Sequence, residues 1–251
     1  MTTIKQAASK VPEVTLAFWA VKILATTLGE TGGDALSMTL NLGYLLSTGI
    51  FAVIFVVAVL AQIRASGFHP ARYWFTIVAT TTVGTTLADF ADRSLGIGYA
   101  GGSSILLVLL LASLLSWRLV LGRVSSTDIH TPRAEAFYWL TIMCSQTLGT
   151  ALGDWVADTQ GLGYSASIVI FGGALALLVV LWATTKVSRV ALFWAAFILT
   201  RPLGAVVGDF LDKPLSDGGL ALSRIGASAT LIGLMVAMLL MFRQRAARQH
   251  H

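Results

Sequence analysis

The sequence predicts an all-α, polytopic membrane protein: eight transmembrane helices made from four parallel two-helix repeats, paired into two 120-residue halves. Three observations predict it. Eight apolar stretches each approach the ~20 residues that cross a bilayer. Charged residues make up 12% of the 251 residues, against ~25% in a soluble domain, and mean hydropathy is +0.79. A register of Trp, Gly and Asp recurs four times without a gap.

The stretches run over 14–36, 40–62, 73–91, 99–119, 136–157, 163–184, 190–211 and 220–242. They divide a single membrane domain, 1–251, into a first half, 13–118, and a second half, 136–242. The 119–135 segment, with Ser125, Ser126 and Pro132, is the linker between them. Residues 1–12 and 243–251 are tails, and the closing Gln249-His250-His251 reads as a tag stub with no metal role. The leading segment is too polar for a secretory signal.

Orientation follows from the bases. Twelve of the 17 Lys and Arg lie in the tails or in the loops from even to odd helices. The odd-to-even loops hold Arg93 and Lys213 and several acids, Asp92, Asp158, Asp212 and Asp217, which read as surface groups. The positive-inside rule then puts both termini in the cytoplasm. The net charge of +5 is explained this way. No basic run interleaved with aromatics suggests nucleic acid, and the single Cys144 cannot form an internal disulfide.

An aromatic-Trp pair opens each odd helix: Phe18-Trp19, Tyr73-Trp74, Tyr138-Trp139 and Phe193-Trp194. Ten residues past each Trp is Gly29, Gly84, Gly149 or Gly204. Fifteen past it is Asp34, Asp89, Asp154 or Asp209. Twenty-four past it is Gly43, Gly98, Gly163 or Gly218, followed by Tyr44, Tyr99, Tyr164 and, in the last unit, Gly219. The Trp spacings of 55, 65 and 55 map the first two units onto the last two by a shift of 120. The pattern resembles a family of bacterial membrane proteins described as four tandem two-span repeats of unknown function, each with a Trp. The resemblance covers nearly the whole chain and implies the fold and a bacterial inner (plasma) membrane, not an activity.

The repeated Trp suits the headgroup level, and the repeated Gly suits close helix approach. The Asp residues are different. Each lies ~22 Å beyond its Trp at ~1.5 Å per residue, and an ionised carboxylate facing lipid costs at least ~2.5 kcal/mol at mid-bilayer. The alternatives are a shared polar site or four interfacial helix ends. Upstream polar residues favour a site: Lys22, Thr26 and Glu30 in the first helix, Thr85 in the third, Thr150 in the fifth, Arg201 in the seventh with Pro202 beside it.

The functional expectation is a secondary transporter for a cation, for instance a divalent metal exchanged for protons. Its ion-binding set is Asp34, Asp89, Asp154, Asp209, Glu30, Thr85 and Thr150, the four Asp being the candidate metal ligands. Oxygen donors suit hard cations. Lys22 and Arg201 are expected to gate or balance charge, leaving the cluster net negative. One alternative is a carrier of a small organic solute whose anionic group binds Lys22 or Arg201; another is a non-transporting membrane scaffold. No metalloprotease, Ser/His or phosphate-loop motif is present, so no enzyme is expected. No covalent cofactor is expected beyond a bound divalent cation. The expected partners are the lipid bilayer, the small ion or solute, and a second copy in a homo-oligomer.

Overall fold

Eight long helices account for most of the chain. The computed structural model describes residues 9–159 and 161–247; the sequence readings on Lys5, Arg248 and the terminal His residues fall outside them. The helices are α1 (Leu16–Asp34), α2 (Gly43–Arg64), α3 (Pro70–Asp89), α4 (Tyr99–Leu121), α5 (Pro132–Asp154), α6 (Gly163–Thr184), α7 (Arg189–Asp212) and α8 (Arg224–Met241). Five of them, α2, α4, α6, α7 and α8, are long and apolar enough to cross a membrane. The other three, α1, α3 and α5, carry the polar stripes.

Local chemistry fixes the helix starts. The Thr15, Thr131 and Ser188 hydroxyls accept from the Phe18, Ala134 and Ala191 N–H groups, satisfying donors that a helix start leaves free. Pro70 and Pro132 occupy the first helical positions, where a missing N–H costs nothing. Three odd helices end the same way: immediately after Asp34, Asp89 and Asp154 the coil widens into a π-helical turn, 35–39, 90–94 and 155–159.

The Gly twenty-four residues past each Trp has a backbone role. Gly43, Gly98, Gly163 and Gly218 all have φ between +73° and +83°, and open space surrounds each. Left-handed φ favours a residue without Cβ. Gly43 and Gly163 are the first residues of their even helices and Gly98 immediately precedes its own; in the fourth unit, Pro214 and a 3-10 turn intervene and α8 begins only at Arg224.

The odd helices form a closed ring in the order α1, α3, α5, α7 and back to α1. Each even helix packs against the odd helix of the following unit: α2 on α3, α4 on α5, α6 on α7, and α8 on α1. The last unit thus closes on the first. Leu45, Val53, Val57, Val108, Val169 and Leu240 on the even helices are exposed. Such a large, continuous apolar exterior around a polar interior marks a membrane protein.

Close approach around the ring depends on the Gly ten residues past each Trp. A Cβ on Gly29 would meet the Thr81 side chain at 2.3 Å, on Gly84 Gln146 and Thr147 backbone at 3.0–3.1 Å, on Gly149 the Arg201 side chain at 2.3 Å, and on Gly204 Thr26 at 2.1 Å. Each helix therefore lodges the residue seven past the next unit's Trp, and the fourth contact closes on the first helix.

The Trp end of the ring is sealed. Phe18, Tyr73, Tyr138, Trp74 and Trp139 are buried, and the Tyr73 and Tyr138 hydroxyls are 2.6 Å apart. Trp74, Trp139 and Trp194 turn into this plug, not outward to a headgroup layer as their position in the sequence suggests. Across its face runs the segment 9–13. Lys10 Nζ donates to the Ile63 carbonyl and to Glu135 Oε1 at 2.6 Å, and the Ala247 N–H donates to the Val11 carbonyl. Lys10, Val11 and Ala247 belong to what the sequence reads as tails.

Candidate functional site

Five layers stack inside the ring, four residues apart on each odd helix. They begin with Phe18, Tyr73, Tyr138 and Phe193. Then come Lys22, Ile77, Ile142 and Phe197; Thr26, Thr81, Gln146 and Arg201; Glu30, Thr85, Thr150 and Ala205; and Asp34, Asp89, Asp154 and Asp209. All twenty side chains are buried. The stripes expected from the sequence thus face one interior, and all four repeated Asp lie at one end of it.

The Asp layer carries its own cations. Arg93, four residues past Asp89, places Nε 3.0 Å from Asp89 Oδ1 and Nη2 3.2 Å from Asp154 Oδ2. Lys213, four past Asp209, places Nζ 3.2 Å from Asp209 Oδ1 and 3.2 Å from Asp34 Oδ2. Arg224, at the start of α8, stands 3.7 Å from Asp34 Oδ2 and donates to Asp212 Oδ2 at 2.9 Å. This corrects the expected charge balance. The sequence set five acids against Lys22 and Arg201 alone, because Arg93 and Lys213 fall past the ends of the apolar stretches. Both reach back into the ring, as i,i+4 partners on one helical face do.

Each base leaves part of the layer unpaired. Asp34 Oδ1 and Asp154 Oδ1 are buried with no hydrogen-bond partner among the described residues. Two carboxylate triads bring ligand oxygens within 4.8 Å of one another: Glu30 with Asp154 and Asp209, and Asp34 with Asp209 and Asp212. Asp89 belongs to neither. Asp212, read from the sequence as a surface group, is a buried member of the second. A cavity of about 350 Å³ opens beyond this end, with Arg93, Asp158, Tyr164, Lys213 and Asp217 in its lining. The Tyr99 and Tyr164 hydroxyls donate to the two oxygens of Asp158 at 3.4 and 3.3 Å.

One turn deeper, Arg201 crosses between layers. The fourth helix offers only Ala205 where the others have Glu30, Thr85 and Thr150. Arg201, from the layer below, fills that space: Nη2 lies 2.9 Å from Glu30 Oε2 and donates to the Thr85 and Thr150 hydroxyls at 2.5 Å each. Gly149 makes room for its aliphatic stem. This arrangement assigns Thr85 and Thr150 to holding Arg201. Lys22 is fully buried, with Nζ 4.1 Å from the Phe197 ring centre and no hydrogen-bond partner among the described residues.

Asp92, in the turn beyond α3, is also buried, and neither carboxylate oxygen has a hydrogen-bond partner among the described residues. Burial pushes its pKa up to about 6, against the opposing pull of Arg93. This corrects its reading from sequence as a surface group.

One sequence family matches four segments in tandem: 17–68, 72–121, 137–188 and 192–246, described as Repeat of Unknown Function (DUF347). The chain belongs to the DUF347 family. Each DUF347 segment spans one odd helix and the even helix that follows, so the repeat unit is the two-helix module seen in the ring. No curated protein and no solved structure matches the chain.

Proposed function

We propose that this DUF347 protein is a secondary carrier for a hard cation, a divalent metal exchanged for protons being the first candidate. The chain crosses a bacterial inner membrane eight times, with both termini in the cytoplasm. The carrying observation is the pair of carboxylate triads at one end of a sealed ring, with Asp34 Oδ1 and Asp154 Oδ1 unpartnered among the described residues.

The chemistry is competition. A cation entering by the cavity displaces Arg93 or Lys213 from two carboxylates at once. Both bases are partly exposed, 30% and 12% at the side chain, and can swing outward as flexible stems. Oxygen-only ligands select hard ions. Without the cation, the bases neutralise the site; buried like charges otherwise cannot all stay ionised. Passage to the other side requires the Tyr73–Tyr138 plug to part while the bases hold the first end closed, which gives alternating access.

An organic anion on Lys22 or Arg201 fits less well, because both side chains are fully enclosed and Arg201 is engaged by Glu30. The test is flux in proteoliposomes with Mn2+, Mg2+, Ca2+ and Na+, with and without a pH gradient. Wild type moves at least one of them. Asp34→Asn, Asp154→Asn and Asp209→Asn abolish that flux. Full flux in all three variants, or none of any ion in wild type, ends this reading.

A further inference from the structure

The middle of the ring holds several buried polar atoms without hydrogen-bond partners among the described residues, Thr81 Oγ1 included. Lys22 Nζ, both amide atoms of Gln146, and Arg201 Nε and Nη1 have no hydrogen-bond partner among the described residues. All three side chains are fully buried, and they stand in adjacent layers on three helices of the ring. Phe197 is one turn from Arg201 on α7 and lies under Lys22 Nζ at 4.1 Å, so the two basic groups are close neighbours. Glu30 meets Arg201 through Nη2, and the other two guanidinium nitrogens and the Lys22 amine have no hydrogen-bond partner among the described residues. Isolated buried charge is costly unless paired.

We propose that a small inorganic anion of the halide class binds in the centre of the ring between Lys22 and Arg201, with the Gln146 amide donating to it. Arg201 then serves two anions, Glu30 on one edge of the guanidinium and the halide on the other. The halide is a resident counter-ion, distinct from the cation of the Asp layer, and the inference stands whether or not the protein carries cations.

Two measurements on the full chain test it. Crystals grown or soaked in bromide give an anomalous peak between Lys22 and Arg201. In detergent at constant ionic strength, the Tm of wild type rises saturably when gluconate is replaced by chloride, because ligand binding to the folded state stabilises it. Lys22→Met loses that rise and the bromide peak. A bromide map with no peak there overturns the proposal, as does a chloride-dependent Tm unchanged in Lys22→Met. Should Lys22→Met not fold, the wild-type bromide map decides alone; ordered water at that place, or a bare amine, is the contrary result.

Discussion

Arg93 and Lys213 make the same contact twice, 120 residues apart. Each stands four residues past its own unit's Asp and bridges it to the Asp of the next unit, Asp89 to Asp154 and Asp209 to Asp34. Units one and three carry Met38 and Asp158 at that position. The four-fold repeat is therefore two-fold at its charged end.

Removing one of these bases takes the shared cation from two buried carboxylates, although Asp34 keeps Arg224 at 3.7 Å. Breaking a fully buried pair costs about 3–5 kcal/mol; with partial exposure, Lys213→Gln and Arg93→Gln should each cost about 1–3 kcal/mol. Chemical unfolding in detergent measures it. Combining Arg93→Gln with Asp89→Asn and Asp154→Asn should restore most of the loss, since the uncompensated charge goes with the base.

Glu30 and Arg201 should show strong coupling. Glu30→Gln leaves an unpaired buried guanidinium, at a cost of about 3–5 kcal/mol. The double change Glu30→Leu with Arg201→Met should cost less than the sum of the single changes. A double-mutant cycle reads this directly; additive costs would mean that the two side chains do not meet.

Two classes of repeated Gly should fail for different reasons. Gly29→Ala drives a methyl into Thr81, and overpacking of this kind costs about 1–3 kcal/mol. Thr81→Ala should relieve part of it. Gly43→Ala meets no neighbour but must hold φ at +74°, a conformation that costs an L-residue about 1–2 kcal/mol. No change on a neighbouring helix should rescue it. Thermal unfolding of Gly29→Ala, with and without Thr81→Ala, and of Gly43→Ala separates the two.

Asp92 should make stability fall as pH rises. Its folded pKa of about 6 lies above the ~3.9 of an unfolded Asp. Between those values the folded state holds more protons, so its contribution is fully present at low pH and is lost as pH climbs toward 6. Asp92→Asn should flatten that part of the Tm profile between pH 4 and 7 and leave the variant at least as stable as wild type at pH 7.

The helices and their repeat were legible because apolar runs and a gapless Trp/Gly/Asp register are one-dimensional signals. The inward stripes were legible from the spacing of Lys22, Thr26, Glu30 and Asp34. Arg93, Lys213 and Asp212 were not, because hydropathy places them past the membrane segments and cannot show a side chain folding back. Nor could sequence show that Trp74 and Trp139 face a protein plug: an indole at a span's end has the same signature whether it meets lipid or another helix. Gly43 and Gly29 look alike in the repeat, yet one is needed for its φ and the other for its neighbour. Arg201 looked like an odd charge in one helix. In the register counted from Trp it matches Thr26, Thr81 and Gln146, and its purpose appears only beside Ala205 and Gly149.

The most direct test is a crystal structure grown with Mn2+, read by anomalous scattering. The predicted result is a peak ligated by Glu30, Asp154 and Asp209, or by Asp34, Asp209 and Asp212, with Arg93 or Lys213 drawn off its carboxylates. An Asp layer without a peak at saturating Mn2+, both bases still in place, would contradict it.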